Sequence, residues 1–104
     1  TWREFPRRRD GLQYALDGGL WLHRFCLDGT PMAHLVSGDR VVLLAWGRAG
    51  WLDPSWLQFK PLRNPRTGER VPTWHWGLWG DRLPPPAPRP DVAWTGTAPQ
   101  IDRM

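Results

Sequence analysis

Apolar residues in this chain come in short runs separated by turn-forming pairs, and no run keeps the 3.6-residue spacing of an amphipathic helix. Leu12, Tyr14 and Leu16 alternate along one run; residues 20–27, 32–36 and 40–46 form three more. Asp17-Gly18, Asp28-Gly29 and Gly38-Asp39 stand between them, and Asx-Gly pairs of this kind suit two-residue hairpin turns. Eleven glycines and twelve prolines work against long helices. The pattern predicts a mainly β protein: a small antiparallel barrel or meander with one short 3₁₀ or helical turn and a polyproline strap at its C-terminal end.

The turns also predict pairings. If Asp28-Gly29 closes a two-residue hairpin, Leu27 faces Thr30 and His23 lies across from His34. Gly47-Arg48-Ala49-Gly50 reads as a tight connection that sets Trp46 opposite Trp51, a pair that contributes roughly 0.5–1.5 kcal/mol beyond its burial. Asp53-Pro54-Ser55-Trp56 reads as a capped single helical turn, with Trp56 expected in the core. Residues 63–70, Arg-Asn-Pro-Arg-Thr-Gly-Glu-Arg, supply turn chemistry for a hairpin arm over about 57–76, with arginines clustered at its tip. Trp74 and Trp76, two apart, project from one face of that arm. The predicted organisation is a basic arm at 1–11, a small β domain at 12–83 and a proline-rich tail at 84–104. The tail's run of prolines is expected to form polyproline II, with Trp94 as its anchor on the same domain or on a neighbour.

Composition sharpens this picture. Nine of 104 residues are Trp, and Arg occurs thirteen times against one Lys. A chain of this length cannot easily hide nine indoles, so some rings are expected to face a partner, beside planar guanidinium groups. The net charge of +4 favours an anionic partner, and Arg7, Arg8 and Arg9 near the N-terminus are placed to follow phosphates. The single cysteine, Cys26, excludes an intrachain disulfide. The apolar run at 41–46 is far too short for a membrane span, and no secretory leader is visible, so a location in the cytoplasm or within a particle such as a virion is expected.

Two local resemblances follow. Residues 47–57, Gly-Arg-Ala-Gly-Trp-Leu-Asp-Pro-Ser-Trp-Leu, with Gly38-Asp39-Arg40-Val41-Val42 before them, resemble the closing motif of bacterial SH3-type domains. This similarity over residues 38–57 implies an SH3-like barrel, although the spacing between the pieces is shorter than the family's and one hairpin would be missing. Residues 63–69 resemble the arm tip of the HU/IHF family of DNA-bending proteins. That resemblance implies a minor-groove wedge at Pro65 and backbone grips at Arg63, Arg66 and Arg70. The absence of the family's two leading helices from the predicted pattern stands against it.

The chemistry-bearing residues do not assemble a catalytic set. On one strand, His23 and Cys26 point to opposite faces. The aspartates beside Gly or Pro are accounted for by turns and caps, and no phosphate loop or nucleophile elbow occurs. His23 and His34 could hold a metal but lack further ligands, so no metal or other cofactor is expected. The sequence therefore predicts a non-enzymatic binding module. Its first reading is nucleic-acid contact through Arg7, Arg8, Arg9, Arg63, Pro65, Arg66 and Arg70, with Trp74, Trp76, Trp79 and Trp94 as stacking or partner-facing rings. Its second is a structural or assembly subunit of a virion or other large complex, in contact with other protein subunits as part of an oligomer. A third is carbohydrate or cell-wall binding, carried by the SH3-type resemblance alone.

Overall fold

The computed structural model describes residues 1–85; the remainder of the proline-rich tail, with Trp94, lies outside the described residues. The centre is a hairpin of β2 (Leu20–Leu27) and β3 (Thr30–Ser37). Its turn has φ of 50° at Asp28 and 80° at Gly29, the double positive φ of a type I′ turn. Leu27 faces Thr30 and His23 faces His34, as the turn chemistry predicts. β7 (Trp74–Trp79) pairs antiparallel with β3, and β4 (Gln58–Phe59) with β7. β1 (Trp2–Arg3) lies parallel to β2, joined to it through α1 (Arg8–Leu16). The five-stranded mixed sheet has the order β1-β2-β3-β7-β4.

The hairpin arm over 57–76 is present in one register. Gln58 faces His75, Phe59 faces Trp74, and the separate pair β5 (Leu62–Arg63) and β6 (Arg70–Val71) continues the same count. That count sets Pro61 across from Pro72. Neither has an N–H to donate, so the ladder breaks there and the arm becomes two ladders.

Three expectations are corrected. The sheet is open, with β1 and β4 at its edges, so no closed SH3-like barrel exists among the described residues. Residues 1–11 are no separate arm: they supply β1 and the start of α1. Residues 12–16 and 40–46 are helical rather than extended, in α1 and α2 (Arg40–Ala49). In α1 the sheet-facing positions Arg8, Gly11, Leu12 and Ala15 recur at i, i+3, i+4 and i+7. Gly11 is needed because a Cβ there would overlap the Trp21 indole. In α2, Asp39 caps the N-terminus by accepting from the N–H groups of Val41 and Val42 at 3.0 and 3.3 Å. The segment expected to be a barrel strand is thus spent on a helix that lies on one face of the sheet.

α2 also absorbs the predicted tight turn at 47–50, so Trp46 and Trp51 form no cross-strand pair. The helix ends in a Schellman motif: the Leu52 N–H donates to the Gly47 carbonyl at 2.8 Å and the Trp51 N–H to the Arg48 carbonyl at 3.2 Å. Trp51 therefore occupies the left-handed position, φ 61°, that glycine usually takes, at a cost of roughly 1–2 kcal/mol. Asp53 caps the following 3₁₀ turn, Pro54–Trp56, by accepting from the Ser55 N–H at 2.9 Å. A second 3₁₀ turn, Gly80–Arg82, follows β7.

Two apolar cores sandwich the sheet. Leu20, Leu22, Ala33, Leu35, Trp76 and Leu78 pack with Leu43 of α2 and with Leu52. A smaller core on the opposite face joins Leu12 and Ala15 of α1 to Trp21 and Val36. Trp76 donates its indole N–H to the Leu43 carbonyl at 2.9 Å, and Gly47 is required because a Cβ would meet that indole. Trp21 and Trp76 are buried, while Trp51, Trp56 and Trp79 are exposed. Trp56, expected in the core, is 49% exposed. No helix among the described residues is long and apolar enough to cross a membrane.

Candidate functional site

Strand alternation decides which side chains share the α1 side of the sheet. From β2 these are Trp21, His23, Phe25 and Leu27; from β3, Thr30, Met32, His34 and Val36; from β7, His75, Gly77 and Trp79. α1 covers only the end where Trp21 pairs with Val36. Beyond it no described element covers the sheet. One row there runs His23, His34, Gly77, and the next runs Phe25, Met32, Trp79. Phe25, Met32 and both histidines are half-buried, and Trp79 and Leu27 are each 56% exposed. Gly77 leaves room for the neighbouring indole: its Cβ position lies 4.0 Å from the Trp79 ring and meets nothing closer.

The rings form a near-continuous path. Centroid separations are 5.2 Å for Trp21–His23, 6.0 Å for His23–Phe25, 4.8 Å for Phe25–His34 and 4.4 Å for His34–His75. These are ordinary aromatic contact distances. Cations flank the path. The Arg8 guanidinium sits 5.9 Å from the Trp21 ring, and Arg8 and Lys60 line a small depression of about 60 Å³ with the three histidines. None of the strand residues on this face carries a carboxylate.

The electrostatics keep the imidazoles neutral at physiological pH. Burial lowers the His23 pKa, and the Arg8 charge lowers it further. Burial chiefly lowers His34, helped by His23 and Lys60. His75, the most enclosed, is lowered to about 4 by burial, then by His34 and Lys60. The uncovered face is thus a set of planar, mostly uncharged rings with positive charge at its edge. Among the described residues no group of three or more His, Cys, Asp or Glu is arranged to hold a metal ion. Cys26 is exposed, on the opposite strand face from His23.

The residues singled out from sequence are distributed unevenly. Of Arg7, Arg8 and Arg9, all exposed at the start of α1, Arg8 reaches the histidine depression. Arg63, Arg66 and Arg70 are exposed around the arm tip. The tip bonds to itself: Arg63 donates to the Gly68 carbonyl at 2.7 Å, and the Asn64 side chain accepts the Arg66 N–H at 2.8 Å. Pro65 is half-buried in that turn rather than projecting from it. Trp79 stands on the uncovered face. Trp74 is half-buried, its ring 5.5 Å from Phe59. Trp76, expected as a contact ring, is 2% exposed and wedged under α2.

Sequence reasoning missed Phe25 and Met32, although alternation from His23 and His34 would have found both. It also missed a second surface. Trp51, 90% exposed, and Trp56 border a groove of about 690 Å³ between the end of α2 and the first 3₁₀ turn, with Arg40, Arg48 and Asp53. The Arg82 guanidinium lies 5.1 Å from the Trp56 ring. Reading 40–50 as strand and turn hid this grouping, because residues 40, 44, 48 and 51 share a side only on a helix. No family model matches the chain, and neither a curated protein nor a solved structure does.

Proposed function

We propose that this chain is a non-enzymatic binding module that takes single-stranded nucleic acid across the uncovered face of its sheet. The observation that carries this reading is the set of rings on two neighbouring rows of the sheet, His23 and His34 on one and Phe25 and Trp79 on the next, free of carboxylates and with Arg8 and Lys60 beside the histidines. Bases stack on such platforms for about 1–3 kcal/mol each, with little demand on sequence. Unpaired bases can splay onto a sheet in this way, whereas a duplex presents its rings only edge-on. Uncharged imidazoles add planar surface while leaving the phosphates to the guanidinium and ammonium groups at the rim. Among the described residues Arg24 and Glu4 form the one ion pair, at 2.8 Å, so Arg8 and Lys60 are not engaged by carboxylates.

Titration of a fluorescent single-stranded oligonucleotide at several salt concentrations tests this. Affinity is expected to fall with salt, with a log–log slope of about −0.7 for each phosphate contacted. A flat salt response, together with unchanged affinity for the Trp79→Ala protein, would sink the reading.

A second reading, an assembly subunit, rests on a different observation. Val41, Trp51, Trp56 and Phe59 are large apolar side chains exposed at 73, 90, 49 and 59%, which is the composition of protein contact surfaces. Sedimentation across a concentration series separates the two: self-association sensitive to substitution of Val41 or Phe59 supports assembly, and a monomer at every concentration removes it.

A further inference from the structure

The groove beside Trp51 is separate from the histidine face, and its construction points to a particular occupant. Its walls hold two exposed indoles, Trp51 and Trp56, together with Leu44 and Pro54. Trp51 is held outward by a left-handed backbone, φ 61°, at the one position of the helix terminus where glycine would be unstrained. Such a conformation in a bulky residue persists against its own cost, and here it lifts a ring almost wholly into solvent.

The end of the described chain approaches the same place. Pro84 and Pro85 line a neighbouring depression of about 320 Å³ with Trp46, Gly50 and Leu52. Leu52 lines both depressions, and Gly50 and Trp51 are consecutive. The sequence then continues Pro86-Ala87-Pro88-Arg89-Pro90. In polyproline II these five residues reach about 15 Å at ~3.1 Å per residue, enough to cross a groove of this size. That helix makes no internal hydrogen bonds, so its carbonyls need donors. Arg40 and Arg48 on the groove wall supply them, as do the indole N–H groups.

From this we infer that the Trp51–Trp56 groove is the seat of the chain's own proline-rich segment, residues 86–90, which leaves Pro85 and lies across the two indoles. Proline rings on aromatic walls are a recurrent recognition mode, since the segment has little conformational entropy left to lose. The inference is independent of the nucleic-acid reading, which concerns the opposite face of the sheet.

The test uses the full 104-residue chain with ¹⁵N-labelled indoles, assigned by single Trp→Phe replacements. The double substitution Pro86→Gly, Pro88→Gly is expected to move the Trp51 and Trp56 indole signals and leave that of Trp21 in place. Adding the heptapeptide Pro-Pro-Pro-Ala-Pro-Arg-Pro to that variant restores the wild-type positions only near about millimolar peptide, the effective concentration of a short tether. Wild-type signals that stay fixed on about tenfold dilution support docking within one chain. Indoles that ignore the double substitution, or a peptide without effect at any attainable concentration, overturn the inference. Signals that drift on dilution overturn it too, by giving the groove to a second copy.

Discussion

Beneath α2 the sheet presents Leu20, Leu22, Ala33, Leu35, Trp76 and Leu78, all at 3% exposure or less; on the α1 side Phe25, Met32, His34 and Trp79 stay half-buried or exposed. The same strands supply both faces, so the difference lies in what covers them. α2 brings Val42, Leu43, Leu44 and Trp46, and the chain after it adds Leu52 and Leu57. α1 brings Gly11, Leu12 and Ala15, with Tyr14 and Leu16 at the margin, and these pack on Trp21 and Val36 at one end of the sheet. Apolar burial is worth roughly 25 cal/mol per Å², and the α1 side forgoes part of it at Phe25, Met32 and Trp79. An apolar face that the described residues leave uncovered is the kind of surface on which contacts form. The covered face holds the fold together, and the other is the face on which we propose that a partner sits.

The contrast is sharpest at two tryptophans on one strand. Trp76→Ala removes a ring packed against Gly47 and takes the indole donor away from the Leu43 carbonyl, so a loss of about 3–5 kcal/mol is expected in a urea denaturation series. A loss under about 1 kcal/mol would mean that the covered face is not the stabilising one.

Acidification probes the boundary between the faces at His75. Its folded pKa, about 4, lies below the unfolded value near 6.5, so between these values the unfolded chain binds a proton that the folded chain does not. Stability therefore falls as pH drops from about 6.5 toward 4, by about 1–3 kcal/mol from this residue. Thermal melts at pH 7 and pH 5 should show the drop, and His75→Gln should reduce it, leaving the smaller share of His23 and His34. An unchanged slope in that variant would shift the cause to other groups.

Trp79→Ala tests the uncovered face directly. Folding stability should change by less than about 1 kcal/mol, while affinity for a single-stranded oligonucleotide falls roughly 5- to 150-fold, the equivalent of losing one stacked base. A variant that unfolds as Trp76→Ala does would erase the distinction between the faces.

The smallest effect has the opposite sign. Trp51→Gly relieves a left-handed backbone and exposes no core, so stability should rise by about 1 kcal/mol, or about 4–8 °C in melting temperature for a domain of this size. A lower melting temperature would show that the ring packs against the fold, or that its contact with the proline-rich segment outweighs the strain.

How far these features were legible in the sequence depends on the range of the interactions behind them. Asp28-Gly29 carried the central hairpin and the meeting of His23 with His34, because a two-residue turn admits one register. Asp53-Pro54 carried the 3₁₀ turn, because cap and fixed φ act within four residues. The arm over 57–76 was legible from its tip. Residues 12–16 misled, because Leu12 and Leu16 satisfy both alternation and an i, i+4 spacing. Residues 40–46 misled in the same way: a continuous apolar run has no period of its own, and the deciding signal was Asp39 as a cap. His75 joining the two other histidines was out of reach, since it required the pairing of β7 with β3.

The sequence by itself determined the turns, the hairpin registers and the break where Pro61 meets Pro72. Each of these is set by backbone geometry and by donors present or missing within a few residues. Only the tertiary structure decided which indoles are buried. That outcome depends on which face each helix packs against and how far it reaches, and it is fixed by contacts between residues as distant in sequence as Leu43 and Trp76.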